Sequence, residues 1–391
     1  MKGTMIIKGG KSNLIVIEEG KVFIDDKLYE VDLGIENGKV SWLGKGFKAS
    51  SVEKVIKAKE LWILPGNIDA HVHCEAPANP ETEDFVSGSR AAAAGGITTI
   101  LEMPISKPPV YKSTILENRR KLGERDLIVD FCLYAVPDRN SWENTKDLVR
   151  RGAVAFKIFL TSPQKGREKE FGPLCYLDDG ELYEVIKMIA KTKLPCSVHC
   201  EDGAIIRKLE QEITAMRKVE GKKLEYRDHG RIRPKFLEHY AAQKVILMAK
   251  ETGAWVHLAH TSCSTTVNMV TEAKRKGVKI SVETCPSYLT FDISAMDKYG
   301  PYAKIDPPLR DQKEVDGMWE KLERGEIDLV ASDHAPYTPN WKEKGWDNIL
   351  DAYSGLPGIE ITAPLLYSAV LEGKISLTTA IKVLSYKPAR L

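Results

Sequence analysis

The sequence predicts an α/β protein: a (β/α)8 TIM-type barrel over residues 63–391, carrying a small N-terminal β-sandwich-like domain over residues 1–62. Three observations carry this. Strand and helix patterns alternate eight times after residue 63, polar side chains recur at the C-terminal ends of those strands, and the first sixty residues hold only short β-type runs. A barrel gathers the ends of several strands, whereas an open doubly wound sheet collects a ligand at one switch point, so chemistry spread over five strand ends favours the barrel.

In the N-terminal part, β-rich runs at 14–18, 21–24, 30–35 and 40–43 are separated by turn pairs such as Glu19-Gly20, Asp25-Asp26 and Asn37-Gly38. Asn-Gly is a strong hairpin signal because both residues tolerate the positive φ of a tight turn. The barrel strands are expected at 68–73, 98–103, 129–136, 153–160, 195–200, 255–260, 279–284 and 329–334. Amphipathic stretches such as 182–192, 240–252 and 266–276 lie between them. Gly96, Gly152, Gly253 and Gly277 each precede a strand, where a left-handed residue ends a helix.

A chain of 391 residues is long enough for one barrel-sized core and a small appendage. Lys+Arg 57 against Asp+Glu 55 leaves a net charge of +2, too little to argue for nucleic acid or an anionic membrane. A small molecule is the expected partner. No apolar run approaches the roughly 20 residues that span a bilayer, and the first ten residues lack a signal-peptide layout, so a cytoplasmic location is expected. Seven cysteines without a C-x-x-C pair suit a reducing compartment, and Cys196 and Cys200 read as strand packing. Abundant Lys and Glu with few Gln hint at a thermophilic source.

The chemistry begins at His71-Val72-His73. Side chains alternate along a strand, so the two imidazoles share a face and can bind one metal ion. His199 and His260 fall at the ends of two later strands and Asp333 at the end of the last, so four of only eight histidines are collected there. Lys157 sits inside the otherwise apolar Val154-Ala155-Phe156-Lys157-Ile158-Phe159-Leu160. Burial there costs several kcal/mol unless the amine becomes neutral, and a neutral amine can react with CO2 to give a carbamate, an anionic ligand able to bridge two metals. The other reading is a lysine snorkelling to the barrel mouth. His260 rather than His257 is taken as the ligand, because residues three apart face opposite ways; His257 is expected to be supporting or structural. His229, His239 and His334 read as surface or loop residues, with His334 placed to orient Asp333. Four imidazoles, a modified lysine and a carboxylate suit Zn2+ or a similar ion, and Asp333 can serve as general base. Hydrolysis is the chemistry implied.

These segments resemble the amidohydrolase superfamily, and within it the cyclic amidohydrolases: dihydroorotase, allantoinase, hydantoinase and dihydropyrimidinase. The likeness runs through residues 65–73, Ala91-Ala92-Ala93-Ala94-Gly95-Gly96-Ile97-Thr98-Thr99, Phe156-Lys157-Ile158-Phe159-Leu160 and His199-Cys200-Glu201-Asp202. It continues in Glu283-Thr284-Cys285-Pro286-Ser287-Tyr288-Leu289, Pro307-Pro308-Leu309-Arg310 and Ser332-Asp333-His334-Ala335-Pro336. It implies two Zn2+ or similar divalent ions per chain. His71, His73 and Asp333 would hold one and His199 and His260 the other, with carboxylated Lys157 and a hydroxide bridging. The hydroxide would attack a ring amide carbon and Asp333 would pass a proton to the leaving nitrogen. A homodimer or homotetramer is expected.

Substrate signals diverge. Dihydroorotases carry Arg two residues after the HxH pair to hold a carboxylate, and this chain has Glu75. The usual His of the TCPHYL motif is Ser287, the Asn before Pro-Pro-Leu-Arg is Asp306, and the His after Asp-His-Ala-Pro is Tyr337. Glu75, Ser287, Arg310 and Tyr337 are the candidate substrate contacts, with Arg310 able to stand in as an anion clamp. A hydantoin- or allantoin-type ring is the expected substrate and dihydroorotate the alternative. A scaffold of the dihydropyrimidinase-related kind is a remote third, since all six ligand positions are filled; a mononuclear deaminase would not need Lys157. Relatives continue beyond Lys387-Pro388-Ala389-Arg390-Leu391 with strands that complete the sandwich, so either a reduced sandwich or a truncated sequence is expected. The charged segment 207–233 reads as a solvated helical excursion, with a lid or subunit contact as the sharper alternative.

Overall fold

The computed structural model describes residues 14–46, 52–74 and 76–391, which divide into two compact units, Met1–Gly66 and Asn67–Leu391. In the first unit the strands are β1 (Leu14–Glu18), β2 (Lys21–Ile24), β3 (Lys27–Glu30), β4 (Asp32–Glu36), β5 (Lys39–Gly44), β6 (Lys54–Lys57) and β7 (Trp62–Ile63). They form a four-stranded sheet in the order β5-β4-β1-β6 and a three-stranded one in the order β3-β2-β7. Pairing of Glu36 with Lys39 leaves Asn37-Gly38 as a two-residue turn with φ of 53° and 73°, the hairpin its sequence demands. The run expected at 30–35 is not one strand: it spans the end of β3 and most of β4, which belong to different sheets. The unit also extends past residue 62, because Trp62–Ile63 pairs with β2.

The second unit is a ring of eight parallel strands: β8 (Asn67–Val72), β9 (Ile97–Glu102), β10 (Asp130–Ala135), β11 (Ala155–Phe159), β12 (Cys196–His199), β13 (Val256–Leu258), β14 (Ile280–Thr284) and β15 (Leu329–Val330). Each neighbours the next in sequence, and the ends meet through a bridge between Val72 and His334, where the His73 N–H donates to the His334 carbonyl at 2.8 Å. This is the barrel the alternation predicts. One face of the strands packs against the helices around Phe156, Val198, Val256 and Val282; Ala70, Leu101, Met103, Tyr134, Ala155 and Leu329 form a separate cluster. Lys157, Ser197, His257 and Ser281 are paired in register across four adjacent strands, so these polar residues share one level of the sheet. Helix Lys235–Thr252 ends at Gly253 with φ of 72°, as a left-handed cap requires. Among the described residues no helix is long and apolar enough to cross a membrane.

Candidate metal centre and active-site cavity

His71 lies in β8 with His73 just beyond it, Lys157 in β11, His199 at the last position of β12, and His260 and Asp333 two and three residues past β13 and β15. The barrel brings all six together. His71 Nε2 is 3.3 Å from Lys157 Nζ and 3.3 Å from Asp333 Oδ1, and His73 Nε2 is 3.5 Å from the same oxygen. His199 Nδ1 faces His260 Nε2 at 3.1 Å, and the His71 and His260 rings are 5.3 Å apart. His71, His73 and Asp333 alone offer three ligand atoms within 4.8 Å of one another. His260 and Asp333 have φ of 32° and 47°, a left-handed conformation that costs a non-glycine residue about 1 kcal/mol or more. Both turn sharply out of a strand, and this is what aims their side chains back over the barrel.

The surrounding carboxylates fix which nitrogen each imidazole presents. His71 Nδ1 is bonded to Glu283, whose other oxygen is 2.9 Å from His257 Nε2, and His260 N–H donates to Glu283 at 3.0 Å. His199 Nε2 is 3.0 Å from Glu201. With the outer nitrogens carrying the hydrogens, the lone pairs of His71 Nε2 and His199 Nδ1 point to the centre. Burial, reinforced for His71 by the Lys157 charge and for His199 by Arg233, lowers the pKa of both; His199 falls to about 3. Burial and the neighbouring Lys157 also hold His260 well below its ordinary value. Neutral imidazole is the form that binds a metal. Burial would raise Asp333, but His71, His73 and His260 outweigh it and hold the carboxyl well below the usual range. Lys157 is fully buried, makes no ion pair with a carboxylate among the described residues, and is shifted down chiefly by burial. A set of inward lone pairs, an ionised aspartate and a desolvated amine fits divalent metal.

The cluster opens into a cavity of about 1030 Å3. Tyr337 lines it, its hydroxyl accepting from Arg167 at 2.6 Å, and its ring stacks on Trp341. Ser287 lines a neighbouring pocket of about 410 Å3 that reaches Asp333 from another side. Glu75 lies outside the described residues. Arg310 is not a cavity residue: it is 6% exposed, donates to Ser262 Oγ at 2.9 Å and the Arg233 carbonyl at 2.6 Å, and sits 3.8 Å from Glu238. Its guanidinium braces these loops, with Nη2 buried and without a hydrogen bond among the described residues.

Two further expectations change. His229 is buried rather than on the surface, donating to the Ile305 carbonyl at 2.9 Å and lying 3.1 Å from Asp306 at the cavity wall. His334 is also buried, 2.8 Å from Glu83, while its Nδ1 accepts from the Gly358 N–H at 3.2 Å. His239 is half-buried on the helix surface, bonded to Thr265, which fits a surface position, and His257 is the supporting residue. Segment 207–233 is not simply solvated: Arg207, Glu210, His229, Ile232 and Arg233 line the cavity. Glu283, Glu201 and Arg233 went unnoticed as site residues. The only sequence signal was a glutamate two residues beyond His199 and another late in a barrel strand.

Residues 62–391 match the model of the amidohydrolase family. The chain is 36% identical over 383 residues to an allantoinase of Bacillus licheniformis, covering 96% of this chain and 82% of that protein. It is 34% identical to an allantoinase of Enterococcus faecalis, with 100% and 82% covered. Among solved structures it resembles an L-hydantoinase (dihydropyrimidinase) from Arthrobacter aurescens with a TM-score of 0.90 at 30% identity, covering 96% and 82% of the two chains. A dihydropyrimidinase from Brevibacillus agri gives a TM-score of 0.86 at 27% identity, with 97% and 81% covered. Divalent-metal binding is general in the family that these matches define. The chain therefore belongs to the amidohydrolase family, on its cyclic amidohydrolase branch, and is a hydrolase of ring C–N bonds.

Proposed function

We propose that this enzyme opens a five-membered cyclic ureide, a hydantoin-type ring of which allantoin is the first candidate. The observation that carries the reading is the convergence of His71, His73, His199, His260 and Asp333 on one cavity at one end of the barrel, with Lys157 buried 3.3 Å from His71 beneath it. Similarity to allantoinases over nearly the whole chain supports the choice of ring. In this reading His71, His73 and Asp333 would hold one divalent ion and His199 and His260 a second, with Lys157, as a carbamate, supplying a further anionic ligand. That modification forms a bond from Nζ to the carbon of CO2 and releases a proton, which turns a buried cation into a buried anionic ligand. Bound metal supplies Lewis acidity and lowers the pKa of water at the site.

The chain's own residues do the rest. Asp333, ionised and flanked by His71 and His73, accepts a proton from water as the water oxygen bonds to the ring carbonyl carbon. It returns that proton to the ring nitrogen as the C–N bond breaks, leaving a urea N–H and a carboxylic acid, whose remaining proton passes to solvent to give the carboxylate. Glu283 and Glu201 keep the imidazoles oriented throughout. Cytoplasmic residence and a homodimer or homotetramer complete the reading, and light scattering on the purified protein tests the assembly.

The deciding experiment is a hydrolysis panel of allantoin, hydantoin, dihydrouracil and dihydroorotate with added zinc or cobalt. It is run beside metal analysis and intact-protein mass spectrometry for a CO2 adduct. Turnover concentrated on allantoin and hydantoin, with two metals per chain, is the expected result. Fastest turnover of dihydroorotate and carbamoyl aspartate, or one metal with an unmodified lysine, overturns it.

A further inference from the structure

The cavity of about 1030 Å3 is far larger than a five-membered ring needs, so the wall away from the metal cluster must meet whatever the ring carries. Part of that wall is one helix. Gly203, Ile206, Arg207 and Glu210 of helix Gly203–Val219 all line the cavity, and their spacing of i, i+3, i+4 and i+7 makes them a single stripe. The helix start is seated close to the end of β11: Gly203 N–H donates to the Leu160 carbonyl at 2.9 Å, and a Cβ at Gly203 would lie 2.8 Å from Thr161 Cα. The stripe is therefore held near the site.

Two groups on it have unspent hydrogen-bonding capacity. Arg207 gives one N–H to Ser162 Oγ at 2.9 Å, out of the five a guanidinium has. Glu210 is half-buried and has no hydrogen-bond or ion-pair partner among the described residues. Arg233 and Lys304 lie within reach of its charge. Both are committed elsewhere: Arg233 to Glu201 at 2.5 Å and Asp306 at 3.2 Å, Lys304 to the carbonyls of Leu350 and Ala352 at 3.2 and 2.6 Å. A carboxylate left without a hydrogen-bond partner in a cavity is an acceptor for a ligand's N–H groups.

We propose that Glu210 and Arg207 recognise a urea-type substituent (–NH–CO–NH2) on the substrate ring, the carboxylate accepting from its N–H groups and the guanidinium donating to its carbonyl. The two parallel N–H bonds of a urea match the two oxygens of a carboxylate, and charge-assisted pairs of this kind are the strong ones. The inference rests on the ring-opening reading and makes it more specific: these residues separate a ureido-substituted hydantoin from the bare ring.

The test compares kcat/KM for allantoin and for unsubstituted hydantoin in the metal-loaded parent, Glu210→Gln, Glu210→Ala and Lys208→Ala, the last being an exposed helix residue paired with Glu212. The allantoin-to-hydantoin ratio falls about tenfold or more in Glu210→Ala, as loss of a charged hydrogen-bond partner requires, and less in Glu210→Gln. It stays at the parental value in Lys208→Ala, and the loss in Glu210→Ala appears mainly in KM for allantoin. An unchanged ratio, or an equal fall for both rings, overturns the assignment while leaving ring opening intact. A parent enzyme that opens neither ring overturns both readings.

Discussion

Glu283 is the buried hub of the site, and two substitutions there separate its electrostatic role from its structural one. Its oxygens accept from His71 Nδ1, His257 Nε2 and the His260 N–H. Burial would push this carboxyl up, but His71 and His257 outweigh it and hold it well below the ordinary range. In Glu283→Gln the amide oxygen can keep the His71 and His260 side. The amide N–H2 then faces His257, which can reverse its tautomer because its Nδ1 lies 2.8 Å from the Ser281 hydroxyl, an acceptor as readily as a donor. Every hydrogen bond survives and only the charge is lost. The metal-free Gln variant is therefore expected within about 1 kcal/mol of the parent, while zinc binding weakens about 10- to 100-fold, the usual effect of removing a carboxylate behind a ligand histidine. That loss corresponds to about 1.4–2.7 kcal/mol. Glu283→Ala strands all three donors, at about 1–2 kcal/mol each, so it is expected to lose about 3–6 kcal/mol of stability as well. Denaturant unfolding of the metal-free proteins and chelator competition for zinc read the two quantities separately. Parental zinc affinity in the Gln variant, or equal destabilisation by Gln and Ala, would refute the reasoning.

Three other outcomes follow from the same contacts. His71, His199 and His260 are held neutral chiefly by burial, His199 down to about 3, whereas the unfolded chain protonates near 6.5. Below that pH the unfolded state therefore binds more protons than the folded one, and the metal-free protein loses stability as pH falls from about 6.5 towards 3. The slope is up to about 1.4 kcal/mol per pH unit for each imidazole, and flat urea midpoints across this range would contradict it. Lys342 Nζ donates to the carbonyls of Lys304, Tyr353 and Gly355 at 2.9, 3.0 and 2.9 Å. Lys342→Met leaves these acceptors stranded beside the loop that carries Tyr337 and Tyr353, so it costs about 2–4 kcal/mol and raises KM more than it lowers kcat; an unchanged melting curve counts against this. Arg310→Met is expected to lower kcat/KM for neutral and carboxylate-bearing rings by the same factor, because the guanidinium is buried outside the cavity lining and held by Ser262 and Arg233. A loss confined to dihydroorotate would return Arg310 to the substrate.

What could be read in advance was whatever a local pattern encodes. Period-two alternation put His71 and His73 on one face, an amine in an apolar strand marked Lys157, and strand ends located His199, His260 and Asp333. The residues that went unread, or were misread, are those defined by contacts across the barrel. Glu283 is 212 positions from His71 in the chain, and its place late in a barrel strand does not reveal which imidazoles it joins. Arg310, beside two prolines at a loop, looked available for an anion because its partners, Ser262 and Arg233, are 48 and 77 positions away. His229 sits in a charge-rich segment whose composition indicates solvent, yet it folds inward onto Ile305 and Asp306. The start of the same segment supplies Arg207 and Glu210, which with Gly203 and Ile206 just before it form a stripe whose spacing was visible but whose partner, the cavity, was not. The six-residue centre is thus a property of strand ends that any sequence of this pattern would share. Discrimination among rings is carried by side chains on the loops and helix around it, and their pairing, or in Glu210 the lack of it, exists only once the barrel has closed.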